Sequence, residues 1–253
     1  MTSATDPHAT STLSARGKHP PFGVTADLVI LTVRDSRMCV ALVERGVQPF
    51  KGMLALPGGF ISGKDDSLED TALRELREET GIQPEEVHLE QLQTYWTRGR
   101  DPRQEVVTVA WLALGPIEGD LQPGSDAAAA DWYTVEMALR TPLAFDHAAI
   151  LRDAVERARA KLEYTDVAAS FLPPRFTIPD VRRIYEAVWG VELDPGNFQR
   201  KMTPVFERVE NSLTRTGGTG RPAALFTRRR AAARDGSDLT HIEPPFRRPG
   251  KRA

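Results

Sequence analysis

The sequence predicts two folded parts, an α/β sandwich over residues 22–162 and a winged helix-turn-helix over residues 176–230. The first part shows apolar, β-branched runs of strand length that alternate with two amphipathic helical segments. Strands and helices in such an order pack as a mixed sheet with helices on both faces. In the second part, two helices followed by a β-hairpin in a basic segment are typical of a winged helix.

The strands of the sandwich are predicted by apolar runs between turn residues. Residues 26–33 and 38–43 form a hairpin pattern, and Pro57-Gly58-Gly59 breaks the next run, at residues 50–61. Further strands are predicted at residues 88–97, 106–114 and 131–134. Helices are predicted over residues 68–80, where Leu68, Ala72 and Leu76 recur every four positions, and over residues 148–162.

The elements of the winged helix are predicted by capping residues. Thr177 caps the first helix, with Asp180 at the third helical position as in a capping box. Asp194 and Pro195 open a second helix that extends to residue 206. Strands at residues 209–216 and 223–229 enclose a glycine-rich turn, and residues 163–175 form the connector between the two parts.

Composition limits the class of protein. The chain has 253 residues, 40% of them hydrophobic, which is enough to bury a core. No apolar run approaches the roughly 18–20 residues that cross a bilayer, and residues 1–21 are expected to be disordered without a secretory signal. Cys39 is the single cysteine, which excludes a disulfide framework. We therefore expect a cytoplasmic protein that is nucleoid-associated if it binds DNA.

The charge is divided along the chain. Residues 173–253 hold 16 Lys and Arg against 9 Asp and Glu, whereas the rest holds 17 against 26. A basic C-terminal third favours a nucleic-acid-binding module. An equally good interpretation of the charge alone is a solvated basic surface followed by a disordered basic tail, which we place at residues 231–253.

Three carboxylates lie on one face of the predicted helix 68–80. Glu75, Glu78 and Glu79 stand at i, i+3 and i+4, where like charges repel one another. A hard divalent cation such as Mg²⁺ or Mn²⁺ relieves that repulsion. Arg74 lies four residues before Glu78 and can hold a carboxylate, and Gly81 ends the helix. The alternative is an exposed helix crossed by i,i+4 ion pairs.

This segment resembles the Nudix box, whose second half is matched at every specified position between residues 74 and 82. The first half departs, since the family places a glycine six positions before a glutamate, whereas Gly59 stands seven positions before Asp66. The resemblance implies a Nudix fold that binds a nucleoside diphosphate linked to another group. It also implies magnesium or manganese ligands at Glu75, Glu78 and Glu79, and catalytic roles for Arg74, Glu78 and Glu79.

Other residues are candidates for the ligand. Gly58 and Gly59 let the backbone approach it. Arg98, Arg100 and Arg103 either clamp phosphates or form an exposed basic turn, and both interpretations stay open.

Further candidates have a structural alternative that is the commoner role of such residues. A catalytic base is sought among the loop acids Glu118, Asp120 and Asp126, although solvated loop acids are the commoner case. His147 is interpreted as a helix cap. Phe60 and Trp111 can stack on adenine, although core packing is the usual role of such aromatics.

The C-terminal part resembles the Nudix-related transcriptional regulators of NAD metabolism (NrtR). The resemblance rests on residues 176–190, on the Asn-Phe-Gln-Arg-Lys sequence at 197–201 and on the Gly-Arg-Pro-Ala sequence at 220–223. It implies a repressor that binds a double-stranded DNA operator and senses ADP-ribose or a related nucleotide. A homodimer is expected because one winged helix buries a small DNA interface. The predicted DNA contacts are Asn197, Gln199, Arg200, Lys201, Arg215 and Arg221, whose side chains suit base edges or phosphates.

Two alternatives remain. The first is a magnesium-dependent hydrolase of the ADP-ribose pyrophosphatase type with an accessory winged helix, and the intact second half of the box favours some hydrolysis. The second is an RNA-binding or purely structural winged helix, which the polar residues at the start of the second helix disfavour.

Overall fold

The structure, a computed structural model, describes residues 21–124, 127–214 and 223–229, together with residues 239, 242 and 246–248. In these residues the strands are β1 (Gly23–Arg34), β2 (Arg37–Arg45), β3 (Leu54–Ala55), β4 (Gly58–Phe60), β5 (His88–Tyr95), β6 (Val106–Leu114), β7 (Ala127–Thr134), β8 (Glu207–Thr214) and β9 (Ala223–Thr227). The α-helices are α1 (Leu68–Thr80), α2 (Val135–Arg140), α3 (His147–Tyr164), α4 (Ile178–Trp189) and α5 (Pro195–Met202).

The first seven strands form one mixed sheet, which confirms the predicted sandwich. The order is β3-β2-β1-β6-β5, with β4 also paired to β1 and β7 to β2. The β1–β6 pair is parallel and the other pairs are antiparallel. Side chains alternate along β1, so Leu28 and Ile30 pack with α1 on one face, while Val29 and Leu31 pack with α3 on the other.

Local signals place most elements where the sequence predicts them. Helix α1 spans the predicted residues, with Ser67 as the N-cap and Gly81 as a left-handed C-cap. Strand β7 is longer than predicted, because the alanines at 127–130 have no strand preference of their own but pair with β2. The short helix α2 was not predicted and is capped by Thr134.

The winged helix has the predicted caps. Thr177 and Asp180 form the capping box, and the Asp194 carboxylate accepts a hydrogen bond from the Asn197 backbone N–H at 2.7 Å. Helix α5 ends at Met202 rather than at residue 206, since Pro204 disfavours further helix. The predicted turn at residues 217–220 lies outside the described residues.

The two parts share one hydrophobic core. Tyr185 of α4 donates a hydrogen bond to the Leu162 carbonyl of α3 at 2.8 Å, and the Trp189 indole N–H donates to the Arg159 carbonyl at 3.0 Å. Within the predicted connector, a buried 3-10 helix (Val167–Phe171) joins the same core. The parts are therefore packed against each other and are not separated by an exposed linker.

The C-terminal segment departs from the prediction of disorder at its described positions. Leu239 is buried, and the Ile242 N–H donates to the Tyr164 carbonyl at 2.9 Å. Phe246 stacks on Phe198 of α5 with a centroid distance of 5.0 Å, and Arg248 pairs with Glu156 of α3 at 2.6 Å. This segment packs against α3 and α5. The local composition of the segment does not predict these contacts, because the surface that it packs on is distant in sequence. Residues 1–20 and the rest of 231–253 lie outside the described residues.

No helix in the described ranges has both the length and the apolar character that a membrane crossing requires.

Candidate functional site

A cavity of about 300 Å³ opens at one end of the mixed sheet. It is lined by side chains from β1, β2 and β4, from α1, from the β5–β6 connection and from the start of α3. The polar lining residues include Thr25, Asp27, Arg45, Glu75, Glu78, Glu79, Arg100, Asp101, Arg103 and His147, and the aromatic ones are Phe60 and Phe145.

Arg74 organises the acidic wall of this cavity. Its Nη1 donates to Glu75 Oε1 at 2.7 Å and to Glu78 Oε2 at 3.1 Å. Its Nε and Nη2 donate to the two carboxylate oxygens of Asp65 at 3.0 and 2.9 Å, and Nη2 also reaches the Phe60 carbonyl at 3.0 Å. The guanidinium thus holds three carboxylates, one in the loop before α1 and two in α1, as its place in the motif predicts.

Asp65, and not Asp66, is the acidic residue that meets Arg74. The Asp65 carboxylate also accepts from the Ser62 N–H at 2.8 Å and from the Thr71 hydroxyl at 3.0 Å, and the Arg74 guanidinium holds its pKa well below the usual range. Asp66 is exposed. Asp65 stands six positions after Gly59, so the extra residue of the motif lies between the acid and Arg74. The prediction that aligned Asp66 with the family's glutamate is therefore wrong.

Gly58 and Gly59 are required by close approach to other protein atoms, whereas their predicted approach to a ligand stays a prediction. A Cβ at Gly59 would stand 2.3 Å from Glu75 Oε1, and a Cβ at Gly58, whose φ is +152°, would stand 2.4 Å from the Ala26 carbonyl oxygen. The Gly58 N–H donates to Glu79 Oε2 at 2.9 Å. The backbone therefore runs directly against two of the carboxylates.

The three glutamates line one cavity without meeting at a single point. Glu75 is buried beside Arg74, Glu79 is bound by Gly58, and the Glu78 side chain is 61% exposed. Across the residues that the structure describes, no three carboxylate, imidazole or thiol groups stand close enough together to hold a metal ion. The predicted convergence on one ion is thus not present in this arrangement of side chains.

The donor chemistry nevertheless fits a hard divalent cation. All three groups are carboxylates that border the same space, next to a backbone cradle that any Cβ would fill. Burial raises the pKa of Glu75 despite the neighbouring Arg74, which indicates a carboxylate whose charge needs further compensation.

The predicted arginine cluster is divided by the structure. Arg103 lines the cavity, pairs with Asp101 at 2.7 Å and places its guanidinium 5.6 Å from the Phe60 ring centroid. Arg100 also lines it, with a buried side chain. Arg98 is exposed and does not line the cavity, so its predicted ligand contact is not supported, whereas Arg100 does line it.

The cavity floor holds two residues that sequence reasoning assigned no functional role. Asp27 of β1 lies 3.5 Å from Arg100 Nη2 and 3.8 Å from His147 Nε2. His147 is not the predicted cap, since Asp146 is the N-cap residue, and its Nδ1 accepts the Leu56 N–H at 2.9 Å. Burial lowers the pKa of His147. Asp27 could have been identified from the sequence, because it is a charged residue within an otherwise apolar strand.

Of the remaining candidates, some line the cavity and others do not. Phe60 lines the cavity, whereas Trp111 is buried in the core beneath α1. Glu118 and Asp120 do not line the cavity, and Asp126 lies outside the described residues. A catalytic base from that loop is therefore not supported for the first two.

Of the four predicted DNA contacts on α5, two are exposed, whereas Asn197 and Lys201 are half-buried. Phe198 and Met202 are buried against the core, whereas Gln199 and Arg200 are exposed. Arg200 Nη2 donates to the Asn197 side-chain oxygen at 2.9 Å. Lys201 Nζ lies 4.6 Å from the Phe246 ring centroid, a cation–π contact with the C-terminal segment. Arg215 and Arg221 lie outside the described residues.

The fold and the two sites define a protein in which a Nudix domain with an acidic cavity is joined to a helix-turn-helix domain of the DNA-binding type. A model of the NUDIX domain matches residues 21–154, and a model of the NrtR DNA-binding winged helix domain matches residues 168–227. The ADPR responsive transcriptional repressor NtrR of Acinetobacter baylyi is 34% identical over 83% of this chain and 84% of its own. The chain belongs to the NrtR family.

Two solved structures are also similar. The crystal structure of Shewanella oneidensis NrtR complexed with a 27mer DNA has a TM-score of 0.70 and 33% identity, over 81% of this chain and 93% of that one. The NUDIX domain of the same protein, complexed with ADP ribose, has a TM-score of 0.52 and 37% identity, over 55% of this chain and 90% of that one.

Proposed function

We propose that this chain is a DNA-binding transcriptional repressor of NAD metabolism whose Nudix domain binds ADP-ribose, and that this ligand weakens its binding to DNA. The observation that carries the proposal is one continuous packed unit that holds both the acidic cavity and the exposed face of α5. The DNA complex of Shewanella oneidensis NrtR and the ADP-ribose complex of its NUDIX domain, together with the ADPR responsive repressor of Acinetobacter baylyi, support it.

Helix α3 supplies a physical connection between the two sites. It begins at His147 in the cavity floor, and its 18 residues span about 27 Å. Its last turns accept hydrogen bonds from Tyr185 and Trp189 of α4. A ligand that shifts the start of α3 therefore bears on the helix that supports α5. Such coupling requires a different ligand affinity for the two arrangements, commonly worth about 1–3 kcal/mol.

Different residues of the cavity bind different parts of the ligand in this proposal. Arg103 is placed to meet phosphate oxygens, and Phe60 offers a half-exposed ring for the adenine base. Arg74 orients Glu75 and Glu78. Glu75, Glu78 and Glu79 would hold Mg²⁺ or Mn²⁺, which, when bound, neutralises the diphosphate and activates water for its hydrolysis.

The outer face of α5 reads the DNA in this proposal. Asn197, Gln199, Arg200 and Lys201 stand in the first two turns of the second helix, the part that reaches base edges in helix-turn-helix proteins. Arg215 and Arg221 are the proposed contacts of the wing with the DNA backbone.

A second activity, hydrolysis of ADP-ribose, is favoured by a specific observation. Glu75, Glu78 and Glu79 all line the cavity, and Arg74 binds the first two. We expect slow, magnesium-dependent release of AMP and ribose 5-phosphate that Glu79→Gln abolishes.

The proposal is tested by gel-shift titration of an operator DNA at fixed salt, since phosphate contacts make the affinity salt-dependent. Saturating ADP-ribose should weaken DNA binding by roughly 5–150-fold, and Arg200→Ala should weaken it without ligand. Arg140→Ala, which removes an exposed charge from α2 of the Nudix domain, is the matched control. Equal DNA affinity with and without ADP-ribose, in protein shown by calorimetry to bind it, would overturn the proposal.

A further inference from the structure

Two buried polar side chains of β1 face the cavity. Thr25 and Asp27 are 8% and 6% exposed, and they lie two positions apart, so they project from the same face of the strand. The next residues on that face, Val29 and Leu31, belong to the hydrophobic core. Burying polar groups costs free energy unless they are hydrogen-bonded, so this end of the strand needs a polar partner.

Part of the hydrogen-bonding capacity here is unused. Among the described residues, Thr25 Oγ1 has no hydrogen-bond partner. His147 Nδ1 accepts the Leu56 N–H, so the neutral ring carries its hydrogen on Nε2, which stands 3.8 Å from Asp27 Oδ2. That separation exceeds a hydrogen bond, and the Arg100–Asp27 contact at 3.5 Å is long. A hydroxyl, a carboxylate and a ring N–H are thus left facing one space.

The charge of this group disfavours an anion beside Asp27. Arg100 is shared between Asp27 and Asp146, which it binds through two nitrogens at 2.9 and 2.6 Å, and burial keeps His147 neutral. Two carboxylates and one guanidinium leave one net negative charge. A phosphate would be repelled, whereas neutral hydroxyls can donate to the Asp27 carboxylate and accept from the His147 Nε2–H and the Thr25 hydroxyl.

We propose that Thr25, Asp27, Arg100 and His147 form a ribose subsite, which binds the vicinal hydroxyls of a ribose and so selects ligands by their sugar. This inference rests on the proposed function, since it concerns the nucleotide that the cavity holds. ADP-ribose contains two riboses, and the subsite takes one of them. The diphosphate then lies toward the glutamates and Arg103, away from Asp27.

The test is titration calorimetry of the full chain with ADP-ribose, ADP and 2′-deoxy-ADP, with each ligand checked as intact by chromatography afterwards. Thr25→Val is the cleanest variant, because it removes a hydroxyl that has no hydrogen-bond partner among the described residues and keeps the side-chain volume. Asp27→Asn is the second, with its fold verified by circular dichroism. Asp131→Asn, an exposed carboxyl on β7, is the matched control.

Thr25→Val should lower the affinity for ADP-ribose by about 3–10-fold, and Asp27→Asn should lower it by about 10-fold or more. The affinity of the control variant should not change. Unchanged ADP affinity in these variants assigns the subsite to the terminal ribose. If the variants bind ADP more weakly but keep their affinity for 2′-deoxy-ADP, the subsite holds the adenosine ribose. An equal decrease in affinity for all three ligands, or no decrease for any of them, would overturn the inference. In either case, ADP-ribose binding by the natural sequence would still support the proposed function. If the natural sequence binds none of the ligands, both fail.

Discussion

Asp65 anchors the loop that precedes α1 through bonds from Arg74, Ser62 and Thr71. Its folded pKa is lowered by Arg74, so its contribution to stability is present above the unfolded pKa of about 3.9 and is lost as the pH falls further. We expect Asp65→Asn to lower the thermal midpoint between about pH 5 and about pH 7, and the difference to narrow below about pH 4. Asp66→Asn is the control, and an equal loss in both variants would contradict the assignment.

His147 gives a pH dependence of the same sign at higher pH. Burial lowers its folded pKa, so the unfolded chain binds the proton more readily and protonation favours unfolding. The stability that the neutral ring contributes is complete above the ordinary pKa of about 6.5 and is lost as the pH falls below it. Denaturant titrations should show the free energy of unfolding decreasing from about pH 7 to about pH 5, and less steeply in His147→Gln. An identical profile in that variant would remove His147 as the cause.

At the scale of elements, the proposed response to ADP-ribose depends on the contact between α3 and α4. Trp189→Phe removes the hydrogen bond to the Arg159 carbonyl and leaves most of the packing. We expect it to keep the separate affinities for ADP-ribose and DNA, and to reduce the factor by which ADP-ribose weakens DNA binding. Trp111→Phe is the matched control, because the Trp111 Nε1 is buried in the Nudix core without a hydrogen-bond partner among the described residues. A full response in Trp189→Phe would argue against this route.

At the scale of the whole molecule, the C-terminal segment links α3 to α5. Phe246 stacks on Phe198, and Arg248 pairs with Glu156, whereas Arg247 is exposed. Phe246→Ala should lower the free energy of unfolding by about 1 kcal/mol, since it removes an aromatic pair and its packing. Arg247→Ala should leave it unchanged in the same denaturant titration. Equal values for both variants would mean that the segment contributes no stability.

Assembly is a second property of the whole molecule. A single winged helix buries a small area on DNA, and paired half-sites multiply affinity, so we expect a symmetric homodimer. Light scattering of the free protein and of its complex with an operator should give two chains in both. A monomer that binds one half-site with the full operator affinity would contradict this.

The sequence by itself determined what depends on neighbours along the chain. The span of α1 follows from apolar residues four positions apart, and the capping box at Thr177 and Asp180 follows from residues three positions apart. The pairing of Arg74 with Glu78 is of the same kind. Such contacts form within one or two helical turns, so residue spacing alone specifies them.

Only the tertiary structure decided which residues meet across the cavity. Arg100 and Asp27 are 73 positions apart, and Leu56 and His147 are 91 apart, so no local spacing relates them. The choice of Asp65 over Asp66 depends on how the loop before α1 folds back onto Arg74. Arg100 enters the cavity, and Arg98 does not, because Asp146 and Asp27 from other elements hold only the former. Each outcome is set by the packing of β1, α1 and α3 around one space, which is a property of the folded chain.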